Sequence, residues 1–378
     1  MRNDRFQSRE RGNVAYYHLP GLFEFYELYR LFLPLFYTHR EYFYDWCEIG
    51  SIYGAPEDCL WGGGRVEAGE TEPEEVFALI QKYGISARLT FSNSLLRKEH
   101  LANQRCNILC QLFEKSTGVK NGVIVHSELL VDYLKKKYPG FYLVSSTTKV
   151  LTEFQECLRE IQREDFQYVV PDFRLNKMLD KWNTLSEGQK DKVEFLCNEC
   201  CWFGCRDRKA CYEDVSRKNL GEDGEEHRCT APNAKEGYRF SKAMTNPGFI
   251  SVDDIKNIYL PMGFTNFKIE GRGLGSALIL EFLLYYMTKP EYQLHVSRNC
   301  IWIICWICFK IKGKIFMDKY QKFRRHIRFC FSASIGGIFY VIKYCADPAC
   351  WNVYELDLSG LKKIGRSAVM MCFVPASL

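Results

Sequence analysis

The stretch GVIVHSELLVDYLKKKYPGFYLV, residues 122–144, contains a complete strand–helix–strand pattern. Gly122–Val125 and Phe141–Val144 are short apolar runs of strand length, and between them Glu128–Lys137 carries apolar residues at helical spacing. Two successive strands joined by a crossover helix run parallel in one sheet. This stretch therefore predicts a βαβ unit and an α/β fold.

The same alternation extends in both directions over residues 42–295 and predicts six further strands. These are Phe43–Ile49, Ala87–Phe91, Tyr168–Val170, Glu194–Leu196, Phe249–Val252 and Asn266–Ile269. Predicted helices separate most of them: Glu74–Tyr83, Leu95–Glu114, Val150–Arg163 and Leu274–Met287. Eight β–α units over about 250 residues is the expected size of a (β/α)8 TIM-type barrel. A doubly wound open sheet is the alternative, but no GxGxxG turn follows the first predicted strand.

The net charge of the chain changes sign near residue 295. Residues 296–378 contain 13 Lys/Arg and 4 Asp/Glu, a net of +9, whereas residues 1–295 carry a net of −4. We therefore expect an N-terminal segment at 1–41, the barrel at 42–295 and a small C-terminal extension, basic and rich in cysteine and aromatic residues, at 296–378. Within the extension, 310–328 is basic with interleaved aromatic residues. That pattern is typical of a nucleic-acid-binding surface or of a solvated face on a small α+β domain.

The cysteine count and the N-terminus indicate a reducing, cytoplasmic setting. The chain has 18 cysteines, and no apolar signal segment follows Met1. The most apolar run, Cys300–Phe309, is ten residues long. That length is too short for a membrane-spanning helix, so we expect a buried strand there and no membrane span.

In a (β/α)8 barrel the active site lies at the C-terminal ends of the strands, and polar side chains follow nearly every predicted strand here. The candidates for substrate binding are Tyr53, Ser92, Asn93, His126, Ser146, Asn176 and Asn198. The candidates for catalysis are Asp172, Glu270 and Arg272. A guanidinium favours the charged form of a nearby carboxylate, so Glu270 beside Arg272 suits a base or ligand better than an acid. The alternative for these two residues is a structural ion pair.

A cluster of cysteines follows the predicted strand at 194–196, in a loop spanning 197–229. Five fall within fifteen residues and a sixth follows: Cys197, Cys200, Cys201, Cys205, Cys211 and Cys229. Short spacers bring several thiolates to one centre, and zinc and iron–sulfur clusters are the usual occupants. The spacing matches neither a zinc ribbon nor a ferredoxin run. Chance clustering in a cysteine-rich chain is therefore the alternative.

The segment FTNFKIEGRG, residues 264–273, resembles the FKIEGR signature of the collagenase-like U32 peptidase family. Four further segments resemble successive barrel segments of that family: IYGAP, LTFSNSLL, GVIVHSELLVDYLKKKYPGFYLVSSTTK and VVPDFRLN. NECCWFGCRDRKACY is similar to its Asn-x-x-Cys-x-x-x-Cys-x-x-Arg-x-x-His-Tyr segment. The resemblance covers residues 43–292 and implies a barrel.

Some members of that family support oxygen-independent hydroxylation of quinone precursors or RNA bases and bind a 4Fe–4S cluster through four cysteines. Members sometimes act as paired subunits. The resemblance implies that Cys201 and Cys205 are the paired cysteines, with Arg208 as the arginine and Cys229 as a distal ligand. The family's histidine is replaced by Cys211, which leaves Cys200 or Cys211 as the fourth ligand.

Three functions are compatible with these patterns. The first is an iron–sulfur enzyme acting on a small molecule or an RNA, with or without a partner subunit of the same family. The second is a peptidase of the collagenase-like type, although the sequence contains no HExxH, no GxSxG and no papain-type cysteine context. The third is a non-catalytic binding module in which zinc, instead of an iron–sulfur cluster, stabilises the cysteine loop at a closed site.

Overall fold

Eight parallel strands lie in sequence order around a ring. In the computed structural model they are, from β1 to β8, Ala15–Pro20, Cys47–Gly54, Ser86–Phe91, Gly122–Val125, Tyr142–Ser145, Phe166–Val169, Glu194–Leu196 and Asn266–Lys268. Strand β1 pairs with both β2 and β8. A parallel bridge from Val169 to Val193 brings β6 beside the start of β7. This nearly closed ring, alternating with helices, confirms the (β/α)8 TIM-type barrel.

The structure describes residues 14–57, 59–64, 71–199, 201–224, 227–232, 234, 238–297 and 299–300, and the backbone of four strands between 329 and 365. The chain divides into two compact units, Met1–Gln293 and Leu294–Leu378. The first contains the barrel. Within the second, β9 to β12 form an antiparallel sheet in sequence order: Phe329–Ile335, Ile338–Tyr344, Asn352–Asp357 and Gly360–Gly365. Residues 301–328 lie outside the described residues; they include the strand predicted at 300–309, except Cys300, and the whole basic stretch 310–328.

Seven longer helices cover the barrel or its mouth. From α1 to α7 they are Tyr26–Thr38, Pro73–Tyr83, Gln104–Glu114, Glu128–Lys137, Phe154–Gln162, Arg208–Asn219 and Ser276–Met287. Shorter helical segments lie at Arg40–Tyr42, Lys98–Ala102, Thr147–Lys149, Phe173–Leu175, Leu179–Trp182, Glu187–Lys190, Phe240–Met244, Val252–Asp254, Ile255–Tyr259 and Pro290–Tyr292. Helix α2 begins at a proline and ends before Gly84, whose φ of +56° is the left-handed cap that glycine adopts readily. Among the residues that the structure describes, no helix is long and apolar enough to cross a membrane.

One predicted strand is wrong and one strand was not predicted. Phe249–Val252 is not a strand, because Ser251 caps a short helix instead: its hydroxyl accepts a hydrogen bond from the Asp254 amide at 3.0 Å. The ring is completed by β1, which lies within the segment 1–41 that we had set apart from the barrel. The first predicted strand, Phe43–Ile49, is displaced to Cys47–Gly54. Phe43 forms only an isolated bridge with Thr288.

The barrel interior holds ionised groups where such barrels ordinarily pack branched apolar side chains. Glu194 on β7 contacts the guanidinium of Arg88 on β3, and the Arg88 Nε donates to the Tyr142 hydroxyl at 2.8 Å. His18 Nδ1 lies 2.9 Å from the Ser51 hydroxyl, and His18 Nε2 lies 3.5 Å from Glu194. We call these five residues the interior cluster. Above it, an apolar group closes the barrel: Tyr53, Ile124, Val144, Val170 and Leu196.

Candidate functional site

A cavity of about 400 Å³ opens at the C-terminal ends of the strands, where this fold places active sites. Seven of the sequence-predicted site residues line it: Tyr53, Ser92, Ser146, Cys201, Cys229, Glu270 and Arg272. Eight further residues with hydroxyl or charged side chains, which the sequence analysis did not select, also line it: Thr90, Thr147, Thr148, Glu199, Tyr212, Tyr238, Lys242 and Lys268. Residues from strand ends that are distant in sequence therefore share one concave surface.

The other predicted substrate-binding and catalytic residues support the walls of the cavity and do not line it. Asn93 donates to the carbonyls of Leu60 and Ser216, joining two loops to helix α6. Asn176 Nδ2 donates to the carbonyls of Leu196 and Gly248. His126, whose ring Nδ1 lies 2.9 Å from the Thr148 hydroxyl, and Asp172, which pairs with Arg174 at 2.6 Å, also belong to this group, as does Asn198.

Asn198, at the end of β7, fixes the backbone that carries Glu270. Its side-chain oxygen accepts from the Glu270 amide at 2.7 Å, and its side-chain nitrogen donates to the Glu270 carbonyl at 3.3 Å. The Tyr238 hydroxyl, which donates to the Asn198 carbonyl at 3.0 Å, extends this connection. The Glu270 carboxylate is thereby held at the cavity wall on the β7–β8 side.

Lys268 brings a buried amine to the floor of the cavity. Its ammonium lies 3.4 Å from the centroid of the Tyr53 ring and 3.4 Å from a Glu194 oxygen. Burial, with a contribution from Arg88, lowers the pKa of Lys268 to about 8, and Glu194 opposes this shift. Lys268 therefore connects the interior cluster to the cavity above it.

Arg272 is fixed by two contacts at the edge of the cavity. Its Nε donates to Glu24 at 2.8 Å, and its Nη2 donates to the Ala55 carbonyl at 3.1 Å. Burial raises the pKa of Glu24, although Arg272 opposes that shift. The partner of Arg272 is thus Glu24, from the loop after β1, and the predicted ion pair of Arg272 with Glu270 is not among the ion pairs of the described residues.

The cysteines of the 197–229 loop are distributed unevenly. Cys201 and Cys229 line the cavity, while Cys205 and Cys211 are half-buried in the same segment and Cys200 lies outside the described residues. Within the part of the chain that the structure describes, no three His, Cys, Asp or Glu side chains form a group that could hold a metal ion. Cys197 is buried at the end of β7.

A buried ion pair anchors this loop to the barrel. Arg208, at the start of α6, contacts Glu199 at 2.5 Å and donates to the Tyr212 hydroxyl at 3.0 Å. The other Glu199 oxygen accepts from the Cys201 amide at 3.0 Å. Arg208, the residue that the family resemblance singled out, therefore acts on the position of the first cysteine through Glu199.

Comparisons with known proteins give no match in sequence and a similarity to a solved structure. No family model matches the chain, and no curated protein matches it. A solved structure, that of the U32 peptidase Mk0906, is similar over 70% of this chain and 96% of its own length, with 14% identity and a TM-score of 0.43.

Proposed function

We propose that this chain is a U32-type enzyme whose active site is the cavity at the C-terminal end of the barrel, with an iron–sulfur cluster held by the cysteine loop at its rim. The observation that carries the proposal is that Cys201 and Cys229 line the same cavity as Glu270. Thiolates are the protein ligands of iron–sulfur clusters. A cavity of about 400 Å³ accommodates a small molecule or a single nucleobase.

The donor chemistry and the location fit such a cluster, whereas the described residues do not complete its ligand set. Cys201 and Cys229 reach the cavity, and Cys205 with Cys200 or Cys211 would supply the remaining thiolates. Among the described side chains, however, no group of three possible ligands is assembled. When bound, the cluster would supply electron transfer. We assign no reaction step to it.

The residues of the chain itself can bind and orient a substrate between two walls. Glu270, with its backbone fixed by Asn198, presents a carboxylate that can accept a proton from a substrate on the β7–β8 side. Tyr53 and Trp202 contribute aromatic surface to the same cavity. We propose that a small molecule or an RNA base bound between these groups undergoes oxygen-independent hydroxylation or a related modification.

The metal content of the full-length chain, purified without oxygen, tests this proposal. We expect a brown protein with broad visible absorption and with iron and acid-labile sulfide in equal amounts. Cys201→Ser and Cys229→Ser should each lose most of the iron. Cys157→Ala is the matched control, because Cys157 is a buried cysteine on α5, away from the loop, and it should retain the iron.

Other outcomes would replace the proposal. Colourless protein with stoichiometric zinc, lost in Cys201→Ser, would favour the zinc-stabilised binding module. Cleavage of an unfolded protein substrate that persists in the Cys201→Ser and Cys205→Ser variants would favour a peptidase. Equal iron binding by the parent chain and by Cys201→Ser would show that the loop does not hold the metal.

A further inference from the structure

Two hydroxyls at the end of β3 are buried at the cavity wall without hydrogen-bond partners. Thr90 is 6% exposed and Ser92 is 1% exposed. Neither side-chain oxygen has a partner within the described residues, and both residues line the cavity. Buried hydroxyls are nearly always hydrogen-bonded, so each exception requires a water, ion or ligand to complete it. Their spacing of two along the strand places both on the same face of the sheet.

Three cations line the same cavity, Lys242, Lys268 and Arg272, of which Lys268 ends β8 and Arg272 follows it. The ammonium of Lys268 lies at its floor, and the guanidinium of Arg272 lies at its edge. Gly64 shows that Arg272 and Ser92 face a common space: a Cβ added to this glycine would lie 3.5 Å from Arg272 Nη1 and 3.9 Å from the Ser92 hydroxyl oxygen. The absence of a side chain at this glycine therefore leaves both groups open to a ligand.

The arrangement of charges favours an anion beside these residues. Glu194, the counter-ion of Lys268, is shared with Arg88, and Glu24 is occupied by Arg272. Glu199 and Glu270 also line the cavity, but Glu199 is paired with Arg208. The Glu270 backbone is held by Asn198 at the end of β7, and Glu270 itself follows β8, three positions from β3 in the ring of eight. The cations that line the cavity therefore outnumber the carboxylates.

We propose that Thr90, Ser92, Lys268 and Arg272 form a binding site for the anionic group of the substrate, a carboxylate or a phosphate. The inference rests on the proposal that this cavity is the active site. Hydroxyls and cationic side chains donate to such an anion through charge-assisted hydrogen bonds. With its anion held between the ends of β3 and β8, the rest of the substrate extends along the cavity toward Cys201.

Calorimetric titration of the full-length chain with malonate and with inorganic phosphate tests the site, and glucose serves as an uncharged probe. We expect one of the anions to bind more tightly than the other, which identifies the group, and glucose not to bind. Lys268→Met should weaken binding at least about tenfold, and Ser92→Ala about threefold to tenfold. The matched control is Lys192→Met, because Lys192 is a half-buried lysine before β7 that donates to the carbonyls of Ile161 and Arg163.

Two results would overturn the anion site. One is the absence of binding by both anions, or binding that Lys268→Met and Ser92→Ala leave unchanged. The other is binding of glucose as tight as that of the anions, which would indicate a polyol site. Repeating the titration in Cys201→Ser separates the two proposals, since anion binding there is expected to persist even where iron is lost. If the parent chain binds no iron, the anion titration still tests the anion site, because that site contains no ligand of the cluster.

Discussion

The interior cluster and the hydroxyl pair Thr90 and Ser92 are both buried polar groups of one barrel, but only the interior cluster is satisfied internally. In the cluster, Arg88, Glu194 and His18 each contact another member. The two hydroxyls have no partner within the described part of the chain. A buried polar group that is paired internally contributes to the specificity of folding, and one that is left unpaired at a cavity wall is available to a ligand. We therefore expect substitutions in the cluster to change stability and substitutions at the mouth to change binding.

The largest effect is expected for Glu194→Gln. Glutamine keeps the shape of the side chain, but it leaves the buried cations of Arg88 and Lys268 without their shared carboxylate. Breaking a buried ion pair in this way costs about 3–5 kcal/mol, which urea unfolding would measure. The control is Glu27→Gln, which removes a surface pair with Arg30 and should cost no more than about 0.5 kcal/mol. A cost below about 1 kcal/mol for Glu194→Gln would show that the cluster is not a structural unit.

The second effect is a loss of stability in mild acid. Burial lowers the pKa of His18 from 6.5 to about 3, and burial lowers that of His126 to about 4. Between these values and 6.5 the unfolded chain binds protons that the native protein does not, so the free energy of unfolding falls as the pH falls. Each histidine contributes up to about 1.4 kcal/mol per pH unit. Glu194, whose pKa is lowered to about 2, where burial opposes the shift and the Arg88 guanidinium drives it, adds a loss of the same sign below pH 4.5.

Urea unfolding between pH 6.5 and pH 4.5 follows the two histidines, because this window lies above the range in which Glu194 contributes. Glu24 and Glu281, whose pKa values burial raises, oppose the loss of stability in this window, and comparison of variants with the parent chain removes their contribution. His18→Asn should reduce the slope of stability against pH by about half. His39→Asn, at an exposed position, is the control variant and should unfold like the parent chain. An unchanged slope of stability against pH in His18→Asn would show that His18 does not cause the loss of stability in acid.

The third effect is the dependence of anion binding at the cavity mouth on pH. Lys268 is faced by Glu194 on β7, Arg88 on β3, Tyr53 on β2 and Arg272 beyond β8. Because its pKa is lowered to about 8, malonate affinity should fall about tenfold as the pH rises through that value. Lys268→Arg keeps its charge at these pH values and should remove the dependence. Calorimetry of the parent chain and of Lys268→Arg at a series of pH values measures this dependence. An equal dependence in the two proteins would contradict the role of Lys268.

The smallest effect is expected for Gly64→Ala. The added methyl group would make ordinary contacts with Arg272 and Ser92, so stability should hardly change. The methyl group would nevertheless occupy the space between them and weaken anion binding by about threefold, or about 0.6 kcal/mol. Gly188→Ala, where a Cβ meets nothing within 4 Å, is the matched control. Unchanged affinity in Gly64→Ala would mean that the anion binds elsewhere in the cavity.

The sequence predicted the barrel because the alternation of short apolar runs with helical patterns is a local property of the chain. Seven of the eight strands were recognised, with shifts of a few residues. Strand β1 was not, because its sequence, AYYHLP, follows a polar N-terminus and its role depends on pairing with β8, which is distant in sequence. Phe249–Val252 was taken for a strand because its apolar residues outweighed the capping signal of Ser251.

The site was predictable in part. The ends of strands identified Ser92, Glu270 and Arg272 without any knowledge of the fold's details. Lys268 was missed, although alternation along β8 would place it on the same face as Glu270. The partner of Arg272 could not be predicted, because Glu24 is separated from it by 248 residues and meets it only when the barrel closes.

The pairing of β1 with β8 has a consequence for the order in which the protein forms. Tyr16 lies opposite Asn266 and His18 opposite Lys268, so the ring can close only after β8, about 250 residues beyond β1, has left the ribosome. Until then the unpaired edge of β1 is exposed, and exposed strand edges favour wrong pairings and aggregation. Closure of contacts so distant in sequence is intrinsically slow. This topology therefore requires that the edge of β1 be shielded during synthesis.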